Sequence, residues 1–173
     1  HSIHMINDKV KDYFFYNKHK IVMDESNISK YINKILYVSF NYDYSCICFG
    51  TDQGFIIYQT TQLKDIYIKN LRGGVGLISM LNKSNILGLV GGGVNPLYPP
   101  NKLVIWDDSR SKVIKAIKCN SNILNINLKK THIFIITMGE ISIYSFESFE
   151  KIDSFKTSTN AKIIFAISSN PDK

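Results

Sequence analysis

A chain of 173 residues, 45% of them hydrophobic and 20% charged, can bury one ordinary core and is too apolar to be disordered throughout. Ten tyrosines, ten phenylalanines and an excess of isoleucine over leucine favour β-strands, because β-branched and aromatic side chains suit a half-buried pleated surface. The net charge of +7 suits anionic partners such as phospholipid headgroups or nucleic acid, but the scattered lysines are typical of a solvated surface.

The sequence predicts neither a membrane-spanning helix nor a secretory signal peptide. No apolar run reaches the roughly 20 residues of a membrane-spanning helix, and the start lacks the pattern of a secretory signal peptide. The sequence therefore predicts a soluble protein that is not secreted. Residues 1–4, ahead of Met5, resemble a vector remnant. Residues 5–33 combine lysines with an aromatic run and show no clear period, so they either extend the first repeat or form a basic tail that contacts a membrane or nucleic acid.

From residue 34 onward, short apolar runs separated by turn residues recur in three copies. Each copy has the order strand, turn, strand, turn, strand, loop, strand. The predicted strands are residues 35–40, 44–50, 54–58 and 64–69 in the first copy, 75–81, 85–90, 102–107 and 112–118 in the second, and 122–128, 132–137, 140–146 and 150–156 in the third. A fourth copy begins with a predicted strand at 162–168.

The three cysteines, Cys46, Cys48 and Cys119, give an odd count, which does not suit a disulfide framework. The sequence therefore predicts an intracellular protein with reduced thiols. Cys46 and Cys48 lie two residues apart on a predicted strand, so their side chains share a face. No histidine lies near this pair at the spacing of a metal site, which favours buried structural thiols and predicts no metal or cofactor.

The aromatic residue of the third strand sets the repeat length. Tyr58, Trp106 and Tyr144 are 48 and 38 residues apart, which brackets the roughly 40–45 residues of a WD-type blade. The longer spacing follows from a loop at 91–101, and Trp106 with Asp107 forms the dipeptide that names the repeat. The sequence thus predicts an all-β WD-repeat-type β-propeller with about three blades and the start of a fourth.

The blade boundaries follow from this alignment. They are residues 34–70 for blade 1, 71–120 for blade 2, 121–158 for blade 3 and 159–173 for the start of blade 4. A four-stranded blade is buried only where neighbouring blades cover its two faces, so blades normally close into a ring. Because three blades and a part cannot close one, we expect a fragment of a longer polypeptide, or a ring completed by another chain.

Motifs of catalysis and nucleotide binding are incomplete. The glycines at 91–93 are followed by prolines, without the Lys-Ser/Thr pair of a phosphate loop. His132 opens an apolar strand, where a packed or capped side chain is expected, and adjacent Asp107 and Asp108 point to opposite sides of a strand. Asp107 is interpreted as a turn-stabilising group. No catalytic residues are predicted, and an enzyme would need a catalytic set outside this chain.

Three segments carry a resemblance to a known family. Residues 38–58 contain SFN and GTDQGFIIY, residues 73–93 are GGVGLISMLNKSNILGLVGGG, and residues 95–108 are NPLYPPNKLVIWDD. In this order they resemble the PROPPIN (WIPI) family of autophagy propellers. The resemblance runs from about residue 35 to the end and implies the first three blades of a seven-bladed propeller.

The resemblance also implies a function for the parent protein. Family members bind phosphatidylinositol 3-phosphate and phosphatidylinositol 3,5-bisphosphate through an Arg-Arg pair in later blades, and this chain has no such pair. Arg72 stands alone in the sequence LRGG between blades 1 and 2, and we interpret that sequence as a connector. We therefore expect no lipid-binding residues in this chain, and a parent protein in the cytoplasm that is peripheral on endosomal, vacuolar or autophagosomal membranes.

One candidate site follows from the resemblance. The loop of Tyr98, Pro99, Pro100, Asn101 and Lys102 corresponds to the family's contact with an autophagy lipid-transfer protein. A proline pair suits this role because it pre-sets an extended backbone and reduces the entropy lost on docking. The alternative for the loop is a stiff connector that only shapes the blade rim. The alternative for the whole protein is a generic WD-repeat scaffold of a nuclear or RNA complex.

Overall fold

The computed structural model describes residues 34–60 and 66–158. These ranges form three four-stranded antiparallel sheets, each a meander of consecutive strands. The strands are β1 (Ile35–Phe40), β2 (Cys46–Thr51), β3 (Gly54–Gln59) and β4 (Ile66–Asn70) in blade 1, β5 (Val75–Met80), β6 (Ile86–Gly91), β7 (Lys102–Asp107) and β8 (Lys112–Lys118) in blade 2, and β9 (Ile123–Leu128), β10 (His132–Thr137), β11 (Glu140–Ser145) and β12 (Lys151–Lys156) in blade 3.

The predicted all-β blades are confirmed, with small shifts at strand ends. β2 begins at Cys46 instead of residue 44 because the preceding turn is closed by Asn41, whose Oδ1 accepts the Cys46 N–H at 2.9 Å. Tyr44 lies in this turn at φ 59°, a backbone conformation that does not fit a strand. Predictions for residues 1–33, 61–65 and 159–173, including the fourth repeat, lie outside the described residues.

Blade 2 is buried on both faces, and its second strand has the sequence this requires. All six residues of β6 are buried, so the strand is continuously apolar instead of alternating. Leu87 and Leu89 pack with Cys46 and Cys48 of blade 1 in one cluster. Ile86, on the other face, packs with blade 3 in a second cluster. The period of two residues along a strand therefore assigns alternate side chains of β6 to different neighbours.

The two core clusters share this arrangement and lie on either side of blade 2. The first joins blades 1 and 2 and contains Cys46, Cys48, Phe55, Ile57, Val75, Ile78, Met80, Leu87, Leu89 and Trp106. The second joins blades 2 and 3 and contains Ile86, Val90, Leu103, Ile105, Ile117, Ile123, Ile126, Leu128, Ile133, Ile135 and Phe146. Burial raises the pKa of the Cys46 and Cys48 thiols and keeps them protonated.

Polar bonds join the innermost strands of adjacent blades. Ser39 Oγ of β1 donates to the Ile78 carbonyl of β5 at 2.7 Å, and Ser79 Oγ of β5 accepts the Leu128 N–H of β9 at 3.0 Å. These bonds supply partners to backbone groups that the blade's own ladder leaves unpaired. Serine side chains therefore fix the distance between blades where apolar contact alone would allow sliding.

A second polar connection lies toward the outer strands. The Asp108 carboxylate after β7 is 1% exposed, and its Oδ1 accepts the Trp106 indole N–H at 3.2 Å. Lys69 Nζ of β4 lies 3.4 Å from the same oxygen and donates to Ser111 Oγ at 2.7 Å. Burial and the Asp108 charge raise the pKa of Tyr67, the β4 neighbour of Lys69. The charge on Asp108 thus ties blade 1 to blade 2.

Replacing Ser79 with alanine tests the inner connection. Ser79→Ala leaves the buried Leu128 N–H without its acceptor, so we expect the free energy of unfolding to fall by about 1–3 kcal/mol. Urea unfolding followed by circular dichroism measures the change. Ser121→Ala, at an exposed position ahead of β9, is the matched control and should change stability by less than about 0.5 kcal/mol. Equal effects of the two substitutions would contradict this account.

Candidate functional site

The candidate loop joins β6 to β7 and folds back along the start of β5. Gly74 N–H donates to the Asn95 carbonyl at 2.7 Å, and the Gly74 carbonyl accepts the Leu97 N–H at 2.9 Å. Gly74 and Pro96 also form a parallel bridge outside the sheets. The loop is therefore held by backbone bonds to the connector between blades 1 and 2, on the side where β5 begins.

Glycines make this close approach possible. A Cβ at Gly91 would lie 1.7 Å from the Tyr98 carbonyl oxygen, and one at Gly74 would lie 2.1 Å from the Gly92 carbonyl oxygen. No side chain fits at either position without moving the backbone. The glycine runs at 73–76 and 91–93 thus serve backbone packing, which agrees with the rejection of a nucleotide-binding loop.

The Arg72 sequence is the connector between β4 and β5, as predicted, with Arg72 exposed at φ 59°.

The half-buried side chain of Tyr98 holds the first part of the predicted site in place. Leu97 and Tyr98 pack against the core cluster between blades 1 and 2. Burial raises the pKa of the Tyr98 hydroxyl, so it stays protonated at neutral pH. Tyr98 therefore acts as an anchor, and the exposed residues that follow it receive a fixed starting point.

The proline pair is exposed, and its backbone carbonyls are bonded inward. Pro99 O accepts the Lys102 N–H at 3.0 Å, and Pro100 O accepts the Ile123 N–H of β9 at 2.9 Å. Both proline rings face solvent. Since proline lacks an N–H, these residues leave no exposed donor unpaired while their carbonyls fix the loop to blade 3. The result is a rigid apolar projection.

Asn101 has an internal role. Its side-chain amide donates to the Cys119 carbonyl at 3.1 Å, and its own carbonyl accepts the Cys119 N–H at 2.8 Å. These two bonds close the start of β7 against the end of β8. The predicted site thus divides by position into two anchors, Tyr98 and Asn101, and the exposed Pro99 and Pro100.

Lys102 lies in an unusual electrostatic position. It stands directly opposite Lys118 in the antiparallel register of β7 and β8. Like charges at directly opposed positions destabilise a sheet, by up to about 1 kcal/mol. Lys118 is exposed at the end of β8 beside the loop, so two lysines, Lys102 and Lys118, make this part of the rim basic. This arrangement favours an anionic group on whatever contacts the loop.

Val94 is a feature that the sequence prediction missed. Its side chain is 96% exposed, beside Gly93 at φ 79°. The sequence did contain a signal for this exposure. Val94 stands between a glycine and an asparagine in a short loop, where an apolar side chain has no core to pack into. It lies in the same loop as the two exposed prolines and adds a third exposed apolar side chain to that loop.

Other predicted features have structural roles. Asp107 Oδ1 accepts from Asn85 Nδ2 and Ser109 Oγ, both at 2.6 Å, and from the Arg110 N–H at 3.2 Å, which confirms the turn-stabilising interpretation. His132 is exposed, with Nδ1 2.8 Å from Thr131 Oγ1. Within 34–60 and 66–158, no three His, Cys, Asp or Glu side chains are placed to hold a metal ion. The same residues contain no helix long and apolar enough to cross a membrane.

No protein-family model matches the chain. SVP1-like protein 2 of Debaryomyces hansenii is 38% identical over 121 residues, which are 66% of this chain and 28% of that protein. Autophagy-related protein 18 of Kluyveromyces lactis is 30% identical over 138 residues, 80% of this chain and 27% of that protein. Hsv2 of Kluyveromyces marxianus, a crystal structure, matches with a TM-score of 0.64 at 25% identity, over 72% of this chain and 40% of that one.

The three sheets, packed face to face, and these matches define three blades of a WD-type β-propeller. The chain spans about a quarter to two fifths of the length of the curated relatives it matches. Within the propellers, the similarity in sequence and structure is specific: the chain belongs to the PROPPIN family.

Gly91→Ala tests whether the loop depends on backbone contact. The added methyl group would collide with the Tyr98 carbonyl, and we expect a loss of about 3 kcal/mol or a displaced loop. Thermal unfolding and the Tyr98 amide signal in NMR spectra measure the two effects. The control is Val94→Ala, which removes methyl groups that pack on nothing. A Gly91→Ala protein with unchanged stability and spectrum would refute the close-packing role.

Proposed function

We propose that this chain is the partner-binding part of a non-enzymatic PROPPIN scaffold. The exposed Pro99 and Pro100 of the β6–β7 loop contact an autophagy lipid-transfer protein. The observation that carries this proposal is a rigid apolar projection whose carbonyls are bonded inward while its rings face solvent. The inward bonds and the fixed φ of proline would also serve a stiff connector, so it is the exposure of both apolar rings that favours a docking role.

The basic rim supports a partner with acidic groups beside an apolar contact. Lys102 and Lys118 face each other across β7 and β8, and a carboxylate between them would relieve their repulsion. Such a group would also orient the partner, because charge pairs at an interface rim contribute more to register and association rate than to affinity. The apolar projection would supply affinity, and the lysines would supply specificity.

The parent protein, in this proposal, binds phosphatidylinositol 3-phosphate and phosphatidylinositol 3,5-bisphosphate on endosomal, vacuolar or autophagosomal membranes. Lipid binding belongs to later blades, since paired arginines grip phosphate oxygens in a way that a single Arg72 or dispersed lysines do not. A role in autophagy is supported by the name of a matched relative, autophagy-related protein 18. The chain described here would face the partner while the rest of the protein holds the membrane.

The proline pair allows a direct test of partner binding. Pro99→Ala with Pro100→Ala keeps both backbone carbonyls and their bonds but removes the fixed, exposed rings. We expect stability to change by no more than about 1 kcal/mol and affinity for the lipid-transfer protein to fall by roughly tenfold. Surface plasmon resonance with that protein as the probe measures the affinity.

Pro96→Ala is the matched control, since Pro96 lies in the same loop and is also exposed. Its binding should stay within about twofold of wild type. If the wild type, the double proline variant and Pro96→Ala bound the partner equally well, the loop would be only a connector and not a binding site. Binding to nucleic acid that falls steeply with salt, in place of protein binding, would favour the nuclear or RNA scaffold.

Liposome flotation tests whether phosphoinositide binding lies outside this chain. The chain alone should float equally weakly with vesicles that contain phosphatidylinositol 3-phosphate and with vesicles that contain phosphatidylserine at matched charge, because its lysines attract any anionic surface. The weak binding should disappear at about 0.5 M salt, where the Debye length is only a few ångströms. A clear preference for the phosphoinositide, retained in salt, would place a lipid site in this chain.

A further inference from the structure

The outermost strand of blade 2 is an exposed sheet edge. β8 is last in the order β5-β6-β7-β8, and among the described strands it pairs only with β7. All of its residues are exposed except Ile117, which is buried. On an edge strand, every second residue points its backbone N–H and C=O away from the sheet, where no neighbouring strand bonds to them. β8 therefore offers a row of backbone donors and acceptors along the rim of blade 2.

The side chains of β8 carry a positive charge that nothing nearby balances. The strand contains Lys112, Lys115 and Lys118 and no acidic residue. The carboxylate opposite Lys112, that of Asp107, is already bonded within the turn that follows β7. Within the described ranges, none of the three lysine ammonium groups has an ion pair or a hydrogen-bond partner. The edge is therefore a row of cations without counter-ions from the chain itself.

The other two outer strands lack this combination of exposure and charge. In β4, the Lys69 ammonium is tied to the buried carboxylate of Asp108, and most of the strand is half-buried. In β12, Lys151 pairs with Glu140, and Asp153 adds an acidic group to the strand itself. Of the three described outer strands, β8 is thus the one that joins an exposed edge to unpaired charge of a single sign.

A bulge places two apolar side chains between the lysines. Trp106 of β7 stands opposite Val113, whereas Ile105 stands opposite Lys115, so Ile114 has no opposite residue. Val113 is 44% exposed and Ile114 is 41% exposed. β-branched side chains pack well against a cross-strand neighbour. An apolar side chain on an added strand would therefore find a contact here, beside positions that favour an acidic one.

The charge pattern of β8 determines which kind of strand can pair with it. A second copy of β8 would bring lysine beside lysine, and like charges at opposed positions destabilise a sheet. The same lysines that oppose self-pairing favour a strand of opposite charge. The phosphates of a nucleic acid would use the lysines and the outward N–H groups but not the outward carbonyls, whereas a peptide backbone bonds to both.

We propose that β8 binds an acidic extended segment of another protein, which adds a fifth strand to blade 2. Lys112 and Lys115 stand opposite Asp107 and Ile105, two residues apart on β7, so their side chains lie on one face. Carboxylates at alternate positions of the segment pair with these two lysines, and the intervening side chains lie on the face of Val113. The inference goes beyond the proposed function, because the β6–β7 loop takes no part in it.

A blocked peptide with the sequence Gly-Glu-Val-Glu-Val-Glu-Val-Gly is the probe, since as a strand it puts carboxylates on one face and valines on the other. Titration of the 173-residue chain should shift the β8 amide signals in NMR spectra. With free peptide at about ten times its dissociation constant, the outward amides of β8 should exchange hydrogen about tenfold more slowly. Replacing the three glutamates by lysine, or the second valine by proline, should weaken binding by about tenfold or more.

Three results would overturn the proposal. The first is the absence of binding by the acidic peptide. The second is equal binding by the proline-containing peptide, because proline cannot donate to a strand ladder and equal binding would exclude strand addition. The third is tighter binding of an oligothymidine of the same net charge, which would identify the edge as a nucleic-acid contact.

Charge reversal on two outer strands connects the binding to β8. Lys115→Glu should weaken peptide binding by about tenfold, whereas Lys156→Glu, the same change on exposed β12, should leave it within about twofold. Both positions are exposed, so stability should change by less than about 0.5 kcal/mol. Equal losses with the two lysine variants would exclude β8 as the site. The Pro99→Ala, Pro100→Ala protein should bind the probe as the wild type does, and a loss there would assign the peptide to the loop instead.

Discussion

The burial of each blade by its neighbours is the constraint on which the rest of this molecule depends. A four-stranded sheet with two apolar faces has no stable existence alone, because water would contact both. β6, buried at all six positions, exists in this form only because blades 1 and 3 cover it. The serine bonds between inner strands and the Asp108 cluster further out then fix how the blades sit against each other.

This constraint also explains where the exposed features lie. The faces of the sheets are buried between blades, so exposed binding groups lie at the ends of strands, where loops and turns protrude, and along the outer edges of the blades. At one end, the β6–β7 loop projects its prolines from a backbone held by glycine contacts. At the other end, the turn after β1 and the ends of β5 and β9 surround a small cavity. One scaffold thus presents two separate surfaces with different chemistry.

The two surfaces differ in how they are made rigid. The loop is fixed by main-chain bonds, through Gly74, Pro100 and Asn101, so its shape depends little on the identity of the exposed side chains. The cavity is lined mainly by side chains of the turn after β1 and of the ends of β5 and β9. The shape of the loop therefore tolerates substitution of its exposed residues, whereas the shape of the cavity depends on the side chains that line it.

The sequence by itself determined the class of fold, the repeat and nearly every strand, because alternation, turn residues and repeat length are local properties of the chain. The resemblance also predicted the proline loop as a candidate partner contact. Only the tertiary structure decided that Asn101 is bonded to Cys119, that Val94 is exposed, and that Phe40, Asn127 and Lys129 meet. Those three residues are up to 89 positions apart, and strand packing between blades, which no local pattern encodes, brings them together.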